Sequence, residues 1–435
     1  MNKLERLLAW TTFISGIFMV GSSLRLNHFV KKQLERAGTS DYRPRVALMV
    51  PCKGVDPDFK ENMEMLLQQD YGDYEVIFMT VSPEDPCHSI LEACIAESET
   101  PAQIVYGGFS RKRCQKLDNM LAGIDALYSQ ELQNPDHPKA EVYLWADTDA
   151  RVAPNWLEEM IAPLANDEVG ASTTYRFYRP IPGNPLSYLL ALWTGYQFCH
   201  MHMPKVQAVW GGSMAIRRDL FDELEMRRIW DTALSDDCVL HNTIIKAGKK
   251  VGFVIPAMTT ASSDLPTREV LIFAMRQCII GKVALKDIWL TSVLTLSLYH
   301  LSAGRGLQHV ARRVKTGRKL PGFAWGMLSF IPAGIFQALG VLNALKRIEH
   351  YRKAQGMTQD PLRVKRRWAS VGPAAYLFLW WSLLGSVLRQ KFSWREIHYH
   401  MKSEHETDVI GYPESLNHVK ERVTPAHILR SFQHD

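Results

Sequence analysis

At 435 residues, with 46% hydrophobic and 22% charged residues, the chain is too long for a single small binding module and too apolar for intrinsic disorder. The formal net charge is +6, but residues 304–320 and 346–367 together hold fourteen Lys and Arg against two acids, leaving the rest of the chain at net −6. That segregation disfavours nucleic-acid binding and suits contact with anionic lipid headgroups, at roughly 1 kcal/mol per cation near the surface.

Leu7 to Leu24 is uncharged over 18 residues, close to the ~20 residues an apolar helix needs to cross a bilayer core of about 30 Å. It predicts a first membrane span. Lys3 and Arg6 precede it, whereas Arg25, Lys31, Lys32 and Arg36 follow, so the positive-inside rule places the following domain in the cytoplasm. No small-x-small cleavage site follows the run, which favours an anchor over a cleaved leader.

After a polar linker from Gly38 to Arg45, strand-like and helix-like runs alternate. Val46–Val50, Tyr74–Val81, Gln103–Tyr106, Val142–Ala146 and Ser213–Ile216 read as strands; Phe59–Gln69, Ile90–Ala96, Leu117–Leu127, Asn155–Ala165 and Val239–Ala247 read as helices. Parallel neighbours require crossover connections, so this alternation predicts a mostly parallel sheet with helices on both faces. Ligands of such sheets bind outside the carboxyl ends of the strands.

Beyond this domain, Ile288–Gly304 is uncharged but contains His300, which suits an interfacial or re-entrant segment. Leu320–Leu345 and Trp368–Leu388 are uncharged over 26 and 21 residues and are read as two C-terminal crossings that return the tail to the cytoplasm. Pro332 and Gly334 leave room for a broken helix or a hairpin in the first of them. The expected organisation is an N-terminal transmembrane helix (1–30), a catalytic domain (45–290), basic interfacial segments with transmembrane helices (291–390) and a cytoplasmic tail (391–435). Seven cysteines without a C-x-x-C pair suit a reducing compartment.

Acidic residues follow two of the strands: Glu84 and Asp85 after the second, Asp147 and Asp149 after Val142–Ala146. In extended backbone the carboxylates of Asp147-Thr148-Asp149 share a face. At about 5 Å and an effective dielectric of about 20 they would repel by roughly 3 kcal/mol, which calls for a nearby cation. Mg²⁺ is commonly shared between carboxylates and substrate phosphates, so a nucleoside diphosphate is the natural partner. Gly107-Gly108-Phe109-Ser110-Arg111-Lys112-Arg113, followed by Lys116, offers amides and cations suited to diphosphate oxygens. Asp236-Asp237 opens a helical run that Ser235 or Asp236 can cap. One of these acids is a candidate general base. His200/His202 and His398/His400 share a face only on a strand, and the former pair follows a helical pattern, which argues against zinc.

Together, Pro51-Cys52-Lys53-Gly54-Val55-Asp56-Pro57, Gln69-Asp70-Tyr71, Tyr74-Glu75-Val76, Lys116-Leu117-Asp118-Asn119, Trp145 to Val152, Gly212-Ser213-Met214 with Arg217-Arg218-Asp219, and Ser235-Asp236-Asp237 resemble the ceramide glucosyltransferase family. That family belongs to the inverting family-two-type glycosyltransferases with a Rossmann-like GT-A fold. The likeness runs from about Val46 to Trp289, and Trp394-Arg395 with Tyr399 resembles a tail motif of its members. It implies that Asp147 and Asp149 hold Mg²⁺ or Mn²⁺ and the donor diphosphate, that Lys116 lies near the nucleotide and that Asp237 activates the acceptor hydroxyl. It further implies transfer from a UDP-sugar to a membrane lipid such as ceramide, at the cytoplasmic face. Two departures stand out. Ser82 replaces the family's Asp after the second strand, leaving base recognition to Glu84, Asp85 or backbone. The Q/R-x-x-R-W element, placed at Arg276 to Ile280, ends in Ile279-Ile280, with Arg276 and Gln277 left as candidate phosphate contacts. The alternatives are a processive polysaccharide synthase, transfer to a polyprenyl phosphate and, least favoured, a scaffold that has lost the reaction.

Overall fold

The computed structural model describes residues 3–412 apart from 205, 264 and 318. The chain enters through helix α1 (Lys3–Glu35) and then lays down β1 (Val46–Pro51), α2 (Phe59–Leu67), β2 (Tyr74–Thr80), α3 (His88–Ala96), β3 (Ala102–Tyr106), α4 (Gln115–Gln133) and β4 (Val142–Ala146). There follow α5 (Trp156–Ile161), β5 (Val169–Thr173), β6 (Arg176–Arg179), α6 (Pro185–Phe198), β7 (Ser213–Arg217), α7 (Arg218–Glu223), α8 (Met226–Ile229), α9 (Asp236–Lys246), β8 (Lys250–Phe253) and β9 (Thr259–Ser262). Each predicted strand and helix of the alternating region is present. The run Asn155–Ala165 divides, because Pro163 gives its second half to a 3₁₀ turn.

Seven strands form one sheet in the order β3-β2-β1-β4-β7-β5-β8. β1, β2 and β4 are mutually parallel, and their side chains are buried on both faces, which is why they read as unbroken apolar runs. β7 alone runs antiparallel to its neighbours β4 and β5. Its first residue, Ser213, therefore pairs with the last residue of β4, Ala146. The reversal carries the preceding glycines, Gly211 and Gly212, to the carboxyl edge where Asp147 begins.

The C-terminal part contains α10 (Thr267–Ala284), α11 (Lys286–Thr316), α12 (Gly322–Leu328), α13 (Phe330–Ala354) and α14 (Gly372–Ser386). Among the described residues two helical segments are long and apolar enough to cross a membrane, Lys3–Glu35 and Gly322–Ala354. At 1.5 Å per residue the 33 residues of α1 extend about 50 Å. The third apolar stretch differs from expectation. Its helix, α14, has 15 residues and a length of about 22 Å, short of a bilayer core of about 30 Å. Glycines 372 and 385 and Pro373 flank or interrupt it, and its first turns follow a 3₁₀ segment. The ambiguous stretch Ile288–Gly304 lies wholly within α11.

α1 and α13 pack side by side and run in the same direction: a Cβ on Gly16 would meet that of Ala333 at 3.2 Å, and Asn27 Nδ2 donates to Gly340 O at 2.8 Å. Small residues allow this approach. α11 runs the opposite way along α1, with Ser302 Oγ donating to Leu8 O at 3.4 Å and Arg305 paired with Glu5 at 3.1 Å.

Residues read from sequence only as a tail fold into a three-stranded antiparallel sheet, β10 (Lys391–Trp394), β11 (Ile397–Ser403) and β12 (Glu406–Gly411). Alternate β11 residues, Ile397, Tyr399 and Met401, join the same core as α4 and α9, and Val409 N donates to Arg111 O at 3.1 Å. The end of the expected tail, 413–435, lies outside the described residues.

Candidate active site

The carboxyl ends of β1, β4 and β5, the reversed start of β7 and the N-terminus of α9 converge on one cluster of acids and bases. Asp147 leaves β4, its amide donating to Gly212 O at 3.0 Å. Its Oδ1 lies 2.9 Å from Lys116 Nζ in the first turn of α4, and the same ammonium is 2.9 Å from Asp236 Oδ2 and donates to Gly211 O at 3.0 Å. Burial raises the Asp147 carboxyl, but the charges of Lys116 and Arg176 outweigh it and hold the group below its ordinary range. For Asp236 burial wins over Lys116, with repulsion from Asp237 added, and the carboxyl is pushed up to about 6.

Asp149 is held by Arg176 at the start of β6, whose Nη1 lies 2.8 and 2.5 Å from its two oxygens and 3.9 Å from Asp147 Oδ2. Burial, opposed by Arg176 and reinforced by Asp147 and Asp56, leaves Asp149 above the usual carboxylate range. The guanidinium also faces the rings of Tyr178 and Trp210, 4.7 and 5.1 Å from their centroids. Both aspartates remain half-buried. Their oxygens are of the hard kind a divalent cation takes, but among the described residues no third metal-ligating side chain joins them, and each is paired with a cation of the protein.

The two neighbouring acids have different surroundings. Asp236 is buried against Lys116, whereas Asp237 is half-buried and held by one hydrogen bond from Gly211 N at 2.9 Å and one from Cys238 N at 2.7 Å, with Ser235 Oγ donating to it as well. Ser235, not Asp236, caps α9. Gly211 and Gly212 permit the close approach: a Cβ on Gly211 would sit 2.3 Å from Asp236 Oδ2, and one on Gly212 2.6 Å from Asp147 Oδ2.

Against this cluster stands a match over most of the chain: residues 8–298 fit the family described as Glycosyl transferase family 21. The chain belongs to that family. It is a glycosyltransferase, and its mixed sheet is the GT-A fold. Among solved structures, the glycosyltransferase is similar to a mannosyltransferase from Pyrobaculum calidifontis in complex with GDP-Man and Mn²⁺, at 16% identity over 87% of this chain and 99% of that one, with a TM-score of 0.42. It is also similar to glucosyl-3-phosphoglycerate synthase from Mycobacterium tuberculosis in complex with Mn²⁺, UDP and phosphoglyceric acid, at 12% identity over 60% and 82% of the chains and a TM-score of 0.33.

Of the residues singled out by sequence, Lys116, Asp147, Asp149, Asp236 and Asp237 come together in the glycosyltransferase. Arg276 stands close enough to be depressed to about 10, chiefly by burial and further by Arg176 and Arg395. It stacks over Trp394, 4.7 Å from the ring centroid. Gln277, next on α10, is half-buried.

Other candidates have local duties. Asp85 accepts from Gly54 N at 2.8 Å and Cys87 N at 3.2 Å, tying together the loops after β1 and β2. Glu84 is exposed on that second loop. In the basic loop, Arg113 turns inward to Asp118 and Asp231 at 2.5 and 2.6 Å, and Arg111 bonds the Tyr412 hydroxyl at 2.6 Å. Lys112 stays exposed. Three cations read as one diphosphate patch therefore divide among separate roles.

Sequence reasoning missed Arg176, Asp56 and the reach of Arg395. Asp56 Oδ2 accepts from Thr148 Oγ1 at 2.5 Å, and its other oxygen pairs with Arg395. Beneath the site, buried Asp360 accepts from Arg352 of α13 at 2.7 Å and Thr260 of β9 at 2.8 Å, pairs with Arg179 of β6, and lies 3.6 Å from Arg151, two residues past Asp149.

Proposed function

We propose that this glycosyltransferase moves a sugar from a nucleotide-sugar, a UDP-sugar in the first instance, to the hydroxyl of a membrane lipid such as ceramide or a related acceptor, with inversion. The observation that carries the reading is the separation of roles within one cluster. Asp147 and Asp149 present hard oxygens, while Asp237, fixed by Gly211 N and Cys238 N, keeps a half-buried carboxylate on the same edge.

Mg²⁺ or Mn²⁺ held by Asp147 and Asp149 would offset the charge that develops on the departing diphosphate. Lys116 and Arg176 hold those carboxylates in place and add positive potential beside the leaving group. Asp237 takes the acceptor proton as the hydroxyl oxygen attacks the anomeric carbon from the face opposite the leaving group. Asp236, buried and paired with Lys116, positions that cation.

A lipid acceptor and a charged donor meet only at an interface. Two helical segments long and apolar enough to cross a membrane and the basic residues of α11 and α13 support placing the reaction there. The charge distribution around α1 supports a cytoplasmic orientation. An acceptor hydroxyl, rather than a polyprenyl phosphate, is favoured by the presence of Asp237, since a phosphate oxygen needs no base.

The deciding experiment incubates protein reconstituted in lipid with labelled UDP-sugars, with and without Mn²⁺, and analyses the lipids by mass spectrometry beside Asp237→Asn. Metal-stimulated appearance of a hexosyl, N-acetylhexosaminyl or acidic-sugar lipid in the wild type alone is expected. Retained transfer in Asp237→Asn would point to a phosphate acceptor.

A further inference from the structure

The hairpin joining β10 and β11 turns in two residues, Arg395 and Glu396, between the paired Trp394 and Ile397. Both turn residues have positive φ, 50° and 66°. Tight hairpins of this twist usually employ Asn-Gly or Asp-Gly there, because larger side chains are strained in that region. Two non-glycine residues held so at the edge of a site signal a position kept for something other than stability.

The turn aims Arg395 back across the chain. Its guanidinium pairs with Asp56 in the loop after β1 and lies within electrostatic range of Asp147 and Asp149. Its companion Trp394 packs on Arg276, and Tyr399 on the same sheet accepts from Gln115 N at 3.3 Å, anchoring the hairpin to the start of α4. Lys116 and Arg176 are already engaged by buried or half-buried acids. Arg395 differs in its own exposure: its side chain is 43% exposed, against 12% for Lys116 and 13% for Arg176.

We infer that Arg395 is a donor-binding residue that exchanges Asp56 for the diphosphate of the nucleotide, so that the C-terminal sheet closes the donor site. This rests on the nucleotide-sugar reading above. A planar guanidinium suits two phosphate oxygens, and its ion pair with Asp56 keeps it poised without burying an unpaired charge. The C-terminal sheet thereby senses the diphosphate rather than the base.

The test measures UDP and UMP binding by calorimetry in Mn²⁺ for the wild type, Arg395→Ala and Arg395→Lys. Arg395→Ala is expected to weaken UDP binding roughly 10- to 100-fold while UMP binding changes far less, with Arg395→Lys intermediate. UDP, and not UMP, is expected to slow hydrogen exchange in residues 394–397 of the wild type, a readout that stands even if the alanine variant fails to fold. Unchanged UDP affinity in Arg395→Ala, equal losses for both nucleotides, or an exchange pattern indifferent to UDP would each overturn the inference. A wild type that binds neither nucleotide would overturn the nucleotide-sugar reading itself.

Discussion

Asp147 and Asp236, distant in sequence, stand on either side of one ammonium group, each with an oxygen 2.9 Å from Lys116 Nζ. One cation therefore fixes the spacing between the metal-ligand candidate and the helix that carries the proposed base. Lys116→Met would remove it and leave two poorly compensated acids. Loss of one partner of a buried pair costs about 3–5 kcal/mol, so a large fall in melting temperature, together with loss of nucleotide binding, is expected in thermal-shift and calorimetric measurements.

Asp237→Asn keeps the shape of the side chain and removes its basicity. The turnover number is expected to fall by about 10²–10⁴ with donor affinity nearly unchanged, read by initial rates against UDP-sugar concentration. A matching loss of donor affinity would assign Asp237 to donor binding instead.

Asp236 gives a pH signature of opposite sign to that of most carboxylates. Its pKa is about 6 in the folded protein against an ordinary 3.8, so the folded state holds the proton more tightly than the unfolded chain between those values. Its contribution to stability is full below the ordinary value and is lost as pH rises through about 6. Denaturant unfolding from pH 4 to 7 should show the wild type losing ground relative to Asp236→Asn across that window.

Removal of divalent metal should abolish transfer, and Asp147→Asn and Asp149→Asn should each lose stimulation by Mn²⁺. Titration of the ion into EDTA-treated protein, followed by rate measurement, checks both.

Gly211→Ala tests the close approach of backbone to acid. The new methyl would meet Asp236 Oδ2 at 2.3 Å, with Lys116 Nζ at 3.1 Å. Displacement of that pair predicts a loss of activity of at least tenfold despite a one-carbon change, because small misplacements of positioned groups are costly.

Much of this arrangement can be read from local signals. Apolar runs closed by acids announce β4 and the Asp147-Thr148-Asp149 turn, and Ser235 before two acids announces the start of α9. Arg176 carries no such mark: it reaches the site because β5 ends on the same edge as β4, a consequence of strand order. The neighbourhood of Gly211 and Asp147 depends on the antiparallel sense of β7, which a short run of five residues does not disclose. The third apolar stretch illustrates the reverse case. Hydropathy extends over 21 residues, but helix occupies only Gly372–Ser386, since composition reports solubility in lipid and not backbone regularity. Likewise, polar alternation in Lys391–Gly411 reads as tail until Ile397, Tyr399 and Met401 find the α4 core.

Asp360 has a practical corollary for anyone seeking a water-soluble fragment. Arg151 beside the metal-ligand candidates, Arg179 on β6 and Arg352 on α13 all converge on this carboxylate. Cutting the chain after α10 would delete Asp360 and Arg352 and leave Arg151 and Arg179 with only the more exposed Asp58, 3.9 and 3.3 Å away, as a shared counter-ion. Solubility would be gained by unfastening the floor beneath the Asp147-Thr148-Asp149 turn.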